Sequence, residues 1–307
     1  MAPIRNILAL MEHSANEQPA FDAALVLAKR FGSGLELLLA EYQDFHAGYF
    51  DPMTATLQQF HDGVMAGHRA MLERCVQAAA GQGVEALGEA LWGTPFHEVV
   101  LARVAATRPD LVVKYSHYHN PVERTLFTGS DWHLVRDCPV PLLLVKDPAR
   151  LAGAPVLVCV DPQHAHDKPA SLDRKLLRRG AALAATLGGQ LHALHVCAIP
   201  RPVNVVGDTY VTALAMPADE EWTGRARESY RQLMSGYDLP GDRVHMRVGV
   251  AAREIVAAAR ELGAGIVLMG AVSRGRLERW IVGSTAESAL DRLPCNVWVE
   301  KPEPSVE

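Results

Sequence analysis

The residues best suited to chemistry form a glycine- and hydroxyl-rich segment in the second half of the sequence. It starts at Gly270 and ends in the turn Gly283-Ser284-Thr285, directly before the helical pattern of residues 286–293. A helix N-terminus offers unpaired N–H groups and the positive end of a dipole, so it is a ready site for phosphate. The segment also carries three arginines, Arg274, Arg276 and Arg279. Its composition and spacing therefore indicate a phosphate-binding site.

The same residues also fit a purely structural interpretation. Gly270 could simply end a strand, and Ser284 or Thr285 could simply cap the following helix, with the arginines facing water. Short glycine patterns occur by chance in many proteins. The spacing alone therefore leaves both interpretations open.

Histidine is frequent, with 13 residues in the chain. Four of them fall in loops that a parallel sheet would bring together: His13, His117, His119 and His133. Such a cluster could bind a metal or switch with pH. None of these pairs has the i, i+4 spacing of ligands on one helix face, and we predict no metal site.

Two further groupings combine an acid with histidine. Asp131-Trp132-His133 could act as acid and base, but a packed Trp beside an Asp that caps a helix explains it more simply. Asp161 with His164 and His166 is better explained as a polar loop over a pocket. We therefore predict no catalytic residues.

The elements that would position these residues occur twice. Apolar runs at residues 6–12 and 155–161 each end in an acid and precede a long helical pattern, which starts at Pro19 and at Ser171 respectively. Each helix ends in glycine and gives way to a short apolar run, Leu35–Ala40 or Gln190–Val196. The alternation continues in both halves, which predicts parallel sheets with right-handed crossovers.

The sequence thus predicts an α/β fold of two tandem Rossmann-like domains, each a five-stranded parallel sheet flanked by helices. The Pro- and Gly-containing stretch Asp147–Ala154 is typical of a linker, so we place the domains at residues 1–150 and 151–307. In such sheets ligands bind beyond the carboxyl ends of the strands. The inserts Glu41–Thr56 and Cys197–Met216 follow the second strands, and we expect apolar lids there, with plain core cover as the alternative.

Composition excludes several classes of protein. Hydrophobic residues make up 49% and charged residues 21% of the chain, which rules out wholesale disorder. The net charge of −5 lies in the first half, and neither half is basic enough for a general nucleic-acid binder. No apolar stretch is long enough for a membrane helix. The five cysteines include no CxxC pair, so the sequence predicts no zinc ribbon and no disulfide framework. We therefore expect a cytoplasmic protein.

The glycine-rich segment resembles the signature of the universal stress protein family, which reads Gly, two residues, Gly, nine residues, then Gly and Ser or Thr. In this chain the matching residues are Gly270, Ser273 and Gly283-Ser284. Residues 295–299 resemble the family's last strand, and Asp161 matches the family acid that contacts the adenosine moiety. Residues 110–114 and 127–139 resemble the tandem, two-domain UspE type of the family. The resemblance covers nearly the whole chain.

This resemblance implies adenine-nucleotide alpha-hydrolase-like domains that pack as a pseudo-dimer, with a homodimer of chains also possible within the family. It carries the family's nucleotide contacts onto nine residues of the second half: Cys159, Asp161, Val196, Met269, Gly270, Ser273, Gly283, Ser284 and Thr285. Asp161 would hydrogen-bond the ribose or adenine, the Val196 main chain would meet the base, and the Gly283–Thr285 turn would hold phosphate. The implied ligand is ATP or another adenine nucleotide, with Mg²⁺.

The chain also departs from the family pattern. Ser273 stands in place of the second signature glycine, and Glu12 replaces the acid that follows the first strand. The first-half loop at residues 114–124 has no glycine and carries bulky Tyr and His side chains. We infer that the first half does not bind ATP in the family manner.

The sequence therefore predicts a non-catalytic, cytoplasmic stress-response protein that binds an adenine nucleotide in its second half. One alternative is a slow ATPase or nucleotidyl enzyme of the adenine-nucleotide alpha-hydrolase-like group. The missing Walker A motif and the lack of a clear general base count against it. The other alternative is an interaction protein with non-functional nucleotide pockets, which Ser273 and the glycine-free first-half loop favour.

Overall fold

The computed structural model describes residues 3–13, 17–41, 54–116, 129–163, 170–198, 220–273, 280–281 and 289–302. The chain divides into two compact units, Ala2–Ala152 and Gly153–Glu307, here called the first and the second unit. None of the described helices is long and apolar enough to cross a membrane. The five cysteines form no disulfide.

In the first unit the described strands and helices alternate as the sequence predicts. They are β1 (Asn6–Leu10), α1 (Pro19–Phe31), β2 (Gly34–Glu41), α2 (Thr54–Ala80), β3 (Ala86–Trp92), α3 (Phe96–Thr107), β4 (Leu111–Tyr115), α4 (Gly129–Asp137) and β5 (Leu142–Val145). The strands are parallel, in the order β3-β2-β1-β4-β5.

The second unit repeats this plan and adds a short hairpin. Its elements are β6 (Val156–Val160), α5 (Ala170–Leu187), β7 (Leu191–Ala198), α6 (Glu220–Met234), β8 (Val244–Gly249), α7 (Ala251–Glu261), β9 (Ile266–Gly270), β10 (Val272–Ser273), β11 (Trp280–Ile281) and β12 (Asn296–Glu300). Its sheet is parallel in the order β12-β9-β6-β7-β8. Ala289 and Leu290, just before β12, are helical.

The elements form where the apolar pattern predicts them. The central strands are continuous Val, Ile and Leu runs because helices cover both faces of a parallel sheet, and all five residues of β12 are buried. Helix α1 ends at Gly32, whose φ of +68° is a left-handed conformation that glycine adopts without strain. Gly188, with a φ of +75°, follows the last residue of α5 in the same way.

The strand order fixes where a ligand can bind. In each unit the second and third strands lie on one side of the first strand, and the fourth and fifth strands lie on its other side. The switch point of the strand order is therefore between β1 and β4 in the first unit and between β6 and β9 in the second. In open parallel sheets, ligands bind at such a switch point, beyond the carboxyl ends of the strands. The strand order confirms the predicted α/β fold and focuses attention on the residues that follow β1, β4, β6 and β9.

Candidate functional site

The second unit brings five of the nine predicted site residues to the carboxyl edge of its sheet. The register pairs Val158 with Leu268 and Val160 with His195. Continuing that register places Cys159 beside Met269 and Asp161 beside Val196. Gly270 ends β9, as expected. Asp161 and Val196, which the resemblance assigns to the nucleoside end of a nucleotide, are therefore neighbours where β6 and β7 end.

Asp161 is held at the start of its loop by another carboxylate. Its backbone N–H donates to Oδ1 of Asp173, at 3.0 Å, and Asp173 is fully buried in the first turn of α5. A carboxylate in the first turn of a helix is also stabilised by the helix dipole. This contact orients the half-buried Asp161 where β6 ends. Asp173 was not singled out in the sequence, although an acid two residues after a helix start is a recognisable signal.

The carboxylate of Asp161 acts electrostatically on Cys197, near the end of the neighbouring strand β7. Burial raises the pKa of the Cys197 thiol, and the nearby Asp161 carboxylate raises it further. An ionised carboxylate only accepts hydrogen bonds, so this corner suits the hydroxyl groups of a ribose or an exocyclic amine. The same charge makes this corner unfavourable for phosphate.

A buried histidine and tyrosine support the same corner. His195 Nδ1 lies 3.2 Å from the carbonyl oxygen of Val160, which can only accept, so this nitrogen carries the proton. The His195 ring is 5.5 Å from the ring of Tyr230 on α6. Burial raises the pKa of Tyr230, with a further increase from Cys159, so the phenol stays neutral. Sequence analysis did not identify either residue, because α6 meets β7 only in the folded sheet.

Gly270 is explained by helix packing. A Cβ at this position would lie 2.7 Å from Cδ2 of Leu172 and 3.1 Å from its Cγ. Glycine therefore lets α5 approach the end of β9 closely. Because a Cβ at Gly270 would meet Leu172 first, helix packing alone can account for this glycine, as the structural interpretation of the sequence proposed.

The predicted phosphate end is only partly described. Ser273 lies in the β10–β11 hairpin, where its backbone pairs with Trp280. The sequence predicts a loop here and gave no sign of this short ladder. The turn Gly283-Ser284-Thr285 and the three arginines Arg274, Arg276 and Arg279 lie outside the described residues.

The first unit closes the equivalent corner differently. The side chain of Gln18, at the start of α1, accepts from the Glu12 N–H at 2.9 Å and donates to the Glu12 carbonyl at 2.8 Å. This amide replaces the carboxylate of Asp173 as the group that fixes the loop after the first strand. In both units a side chain at the start of the following helix therefore fixes the loop after the first strand. The group is a neutral amide in the first unit and a carboxylate in the second.

The first unit also contains a cavity of about 490 Å³ near the switch point. It lies between the start of α1, the end of β4 and the segment after β5. Three carboxylates, Glu17, Asp22 and Asp147, line it with a single ammonium group, Lys146, and with Tyr115. Burial raises the pKa of Tyr115, and the charges of Glu12 and Glu17 add to the effect. A cavity of this sign is unfavourable for phosphate.

Two described histidines of the first unit, His13 and His68, share the carboxylate of Glu41, and His133 lies elsewhere. Glu41 Oε2 lies 2.6 Å from His68 Nε2 and 3.4 Å from His13 Nε2, at the carboxyl ends of β1 and β2. His133 instead stacks on His97 with ring centres 3.9 Å apart. Within the described ranges no group of three His, Cys, Asp or Glu side chains is arranged to hold a metal ion. His117, His119, His164 and His166 lie outside those ranges.

The prediction that Asp131 caps a helix is wrong. Asp131 is the third residue of α4, and its buried carboxylate forms an ion pair with Lys114 Nζ at 2.7 Å. Lys114 ends up there because β4 packs beside α4, a contact that local sequence does not reveal. His133 lies 3.4 Å from Asp137 instead, so Asp131 and His133 do not act as an acid–base pair.

The two predicted lids fall mostly outside the described residues. Glu41 is the last residue of β2, and Thr54–Thr56 already belong to α2, so residues 42–53 lie outside. Cys197 and Ala198 still belong to β7, and the rest of that insert, residues 199–216, is likewise not described. The lid interpretation therefore stays a prediction.

Two successive parallel sheets, each with its switch point beside the first strand, define a tandem α/β protein of the Rossmann-like class. A model of the universal stress protein family matches residues 3–146 and again residues 154–301. The chain therefore belongs to the universal stress protein family, with two tandem domains of that family.

Similar proteins extend over nearly the same length. Universal stress protein E of Salmonella typhi is 28% identical over 315 aligned residues, covering 99% of this chain and 96% of that protein. A putative universal stress protein from Pseudomonas aeruginosa has a similar structure, with a TM-score of 0.73 at 24% identity over 97% of this chain and 94% of its own. One from Archaeoglobus fulgidus has a TM-score of 0.62 at 17% identity, covering 98% and 99%.

Proposed function

We propose that this chain is a non-catalytic stress-response protein that binds one adenine nucleotide, in its second unit. The observation that carries the proposal is the position of Asp161 at the switch point, with its backbone anchored by Asp173 at 3.0 Å. A fixed carboxylate at the end of the first strand is well placed to accept hydrogen bonds from a ribose or an adenine amino group.

The surrounding residues fit the nucleoside end of such a ligand. Val196 and Met269 lie near the ends of β7 and β9, the two strands beside β6, and the described pairing between β6 and β7 ends at His195. We expect the base to lie against this edge and the phosphates to extend toward the Gly283-Ser284-Thr285 turn. Mg²⁺ would then enter with the phosphates, since the carboxylate at this corner serves the nucleoside.

Electrostatics support a single nucleotide per chain. The cavity of the first unit presents three carboxylates and one ammonium, and a polyphosphate would meet net repulsion there. Residues 1–150 carry the whole net charge of −5, so the wider field has the same sign.

A non-catalytic role is supported by the state of the buried acid–base groups. Among the described residues, His195 is the imidazole closest in register to Asp161, but it is 1% exposed and donates to the carbonyl of Val160. A general base must reach the proton that it removes, and this ring is not placed to do so. Cytoplasmic location and a homodimer stay predictions.

The test is a titration of the full chain with ATP and AMP, with and without Mg²⁺, by calorimetry. Asp161→Asn should weaken binding roughly tenfold or more, since hydrogen bonds to a charged group are worth about 1.5–3 kcal/mol. Glu12→Gln is the matched control, because Glu12 follows β1 as Asp161 follows β6. Equal affinity in the wild type and Asp161→Asn, or turnover of ATP at enzyme-like rates, would overturn the proposal.

A second candidate is an interaction protein without a working nucleotide site. The pairing of Ser273 with Trp280 favours it, because this ladder occupies the start of the predicted phosphate loop. The two candidates separate when the purified chain is denatured and the released small molecules are identified by mass spectrometry. A reproducibly empty result, with no thermal shift from ATP, supports the second candidate.

A further inference from the structure

Two histidines on neighbouring strands of the second unit form a direct imidazole–imidazole contact. His192 is the second residue of β7 and His245 the second residue of β8, at the amino ends of these strands. His192 Nδ1 and His245 Nε2 are 3.0 Å apart. The contact lies at the opposite edge of the sheet from Asp161, so it is separate from the proposed nucleotide site.

The two rings meet end to end in one plane. Their centres are 5.3 Å apart and their planes differ by 12°, although the nitrogens are only 3.0 Å apart. A face-to-face pair looks different, as the 3.9 Å separation of His97 and His133 shows. The ring nitrogens of His192 and His245 therefore point at each other along a shared axis. In that geometry a proton lies between the two nitrogens. A single metal ion could not bind both lone pairs, because they point directly at each other.

The number of bound protons decides whether this bond exists. In the neutral pair one ring donates an N–H and the other accepts. One extra proton can sit on the outer nitrogen of the donor, and the hydrogen bond then gains charge assistance. A second extra proton must go between the rings, where two N–H groups would oppose each other. The bond is therefore lost when both rings are charged.

The charged groups around the pair are few and mixed in sign. Arg243 and Asp242 belong to the short 3₁₀ turn that precedes β8, Arg247 lies on β8, and Glu261 ends α7. Burial lowers the pKa of His192, with smaller decreases from His245 and Arg243, and Asp242 opposes them. Burial also lowers the pKa of His245, helped by Arg247 and opposed by Asp242 and Glu261.

Strand β8 is an edge strand, held by its ladder with β7 and by Arg247, which pairs with Glu254 and Glu261 on α7. It lies at the end of the described strand order and pairs with β7 alone in the second unit. Its residues are mostly half-exposed, and Val248 is 46% exposed. An edge strand with little buried apolar surface is among the first elements to open locally.

We propose that the His192–His245 pair is an acid-operated latch that holds the amino end of edge strand β8 against β7. At neutral pH the shared proton closes the latch, and double protonation opens it. The same ladder pairs Arg247 with Val196, so opening would also loosen one residue of the nucleotide site. That last consequence rests on the proposed function, whereas the latch itself does not.

The sign of the pH dependence follows from the lowered pKa values of both rings. Because the folded chain binds these protons less readily than the unfolded chain, the stability from the neutral pair is present above pH about 6.5 and is lost as pH falls below it. The first measurement is ¹⁵N NMR of the imidazole rings in the full chain without nucleotide. We expect two separate titration steps, the second of them below the usual histidine value, because the second extra proton places two opposed N–H groups between the rings. A second step at or above that value would overturn the proposal.

The second measurement is amide hydrogen exchange at pH 7.5 and pH 5, corrected for intrinsic rates and again without nucleotide. Peptides from Val244–Gly249 should lose at least tenfold protection at pH 5 relative to peptides from β1. In His245→Gln the side-chain amide occupies the position of Nε2 without titrating, so the acid-induced loss should disappear. His133→Gln, which alters the stacked pair of the first unit, should behave as the wild type. An unchanged acid-induced loss in His245→Gln, or none in the wild type, would refute the latch.

Discussion

At the scale of single residues, Gly270 has a packing role that the sequence motif alone does not reveal. A glycine at the end of β9 is part of the family signature, yet the atom nearest to a methyl group added there would be Leu172 Cδ2, at 2.7 Å. We therefore predict that Gly270→Ala destabilises the second unit by about 1–3 kcal/mol through overpacking. Urea unfolding of the full chain measures the change.

The matched control for this substitution is Gly224→Ala. Gly224 lies within α6, and a Cβ there meets nothing within 4 Å. Alanine should therefore stabilise that helix by about 0.5–1 kcal/mol, because glycine loses more backbone freedom on folding. If Gly270→Ala proved as harmless as the control but abolished nucleotide binding, glycine would be required by the ligand and packing would not explain it.

Residues that follow a strand could be predicted, and residues that act across elements could not. Asp161 and Gly270 stand where apolar runs end, so the sequence alone located them. Asp173, His195 and Tyr230 complete the same corner through contacts between β6, α5, β7 and α6. Asp131 was misassigned for the same reason, since its partner Lys114 lies on another element.

At the scale of elements, the last strand is fastened to α5 by a buried polar network. Glu300 at the end of β12 is fully buried and lies 3.1 Å from both Lys175 Nζ and Arg179 Nε. It also accepts from the indole N–H of Trp298 at 3.0 Å. Lys175 donates in addition to the Lys301 carbonyl at 2.7 Å. The apolar pattern predicted the strand but not this network, because the partners are more than 120 residues apart.

We predict that Glu300→Gln lowers the free energy of unfolding by about 3 kcal/mol, because it leaves the buried Arg179 and the half-buried Lys175 without their carboxylate. Denaturant unfolding of the second unit, followed by the fluorescence of the buried Trp298, measures the loss. The control is Glu228→Gln, which removes an exposed partner of Arg231 on α6 and should change stability little. Similar losses for both variants would show that the buried network adds nothing beyond a surface pair.

At the scale of the whole chain, two copies of one fold have different charge. The repeat and both sheets could be predicted because strand and helix periods are local signals. The acidic cavity of the first unit could not, because Glu17 and Asp22 at the start of α1 lie far along the chain from Asp147, after β5. The β10–β11 hairpin was also missed, since each of its strands has only two residues.

The charge difference between the two units predicts that a full chain binds one nucleotide, in the second unit. We expect the resulting stabilisation to be confined to that unit. Calorimetry with ATP should give one site per chain. At a free ligand concentration of 100 times Kd, the second unit should gain about 2.7 kcal/mol of stability because only its folded form binds. Hydrogen exchange should therefore slow in Gly153–Glu307, above all near β6 and β9, and stay unchanged in Ala2–Ala152.

The control for this experiment is Asp161→Asn, which at the same ligand concentration should lower the added protection to about 1.4 kcal/mol or less, since its Kd is about tenfold higher or more, without changing exchange in the absence of ligand. Glu17→Gln with Asp22→Asn makes the first-unit cavity less acidic, but it supplies neither a glycine-rich turn nor an arginine. We therefore expect the stoichiometry of that variant to remain one. Two sites per wild-type chain, or protection that spreads equally over both units, would contradict the assignment, because the charge of the first cavity would then not exclude phosphate.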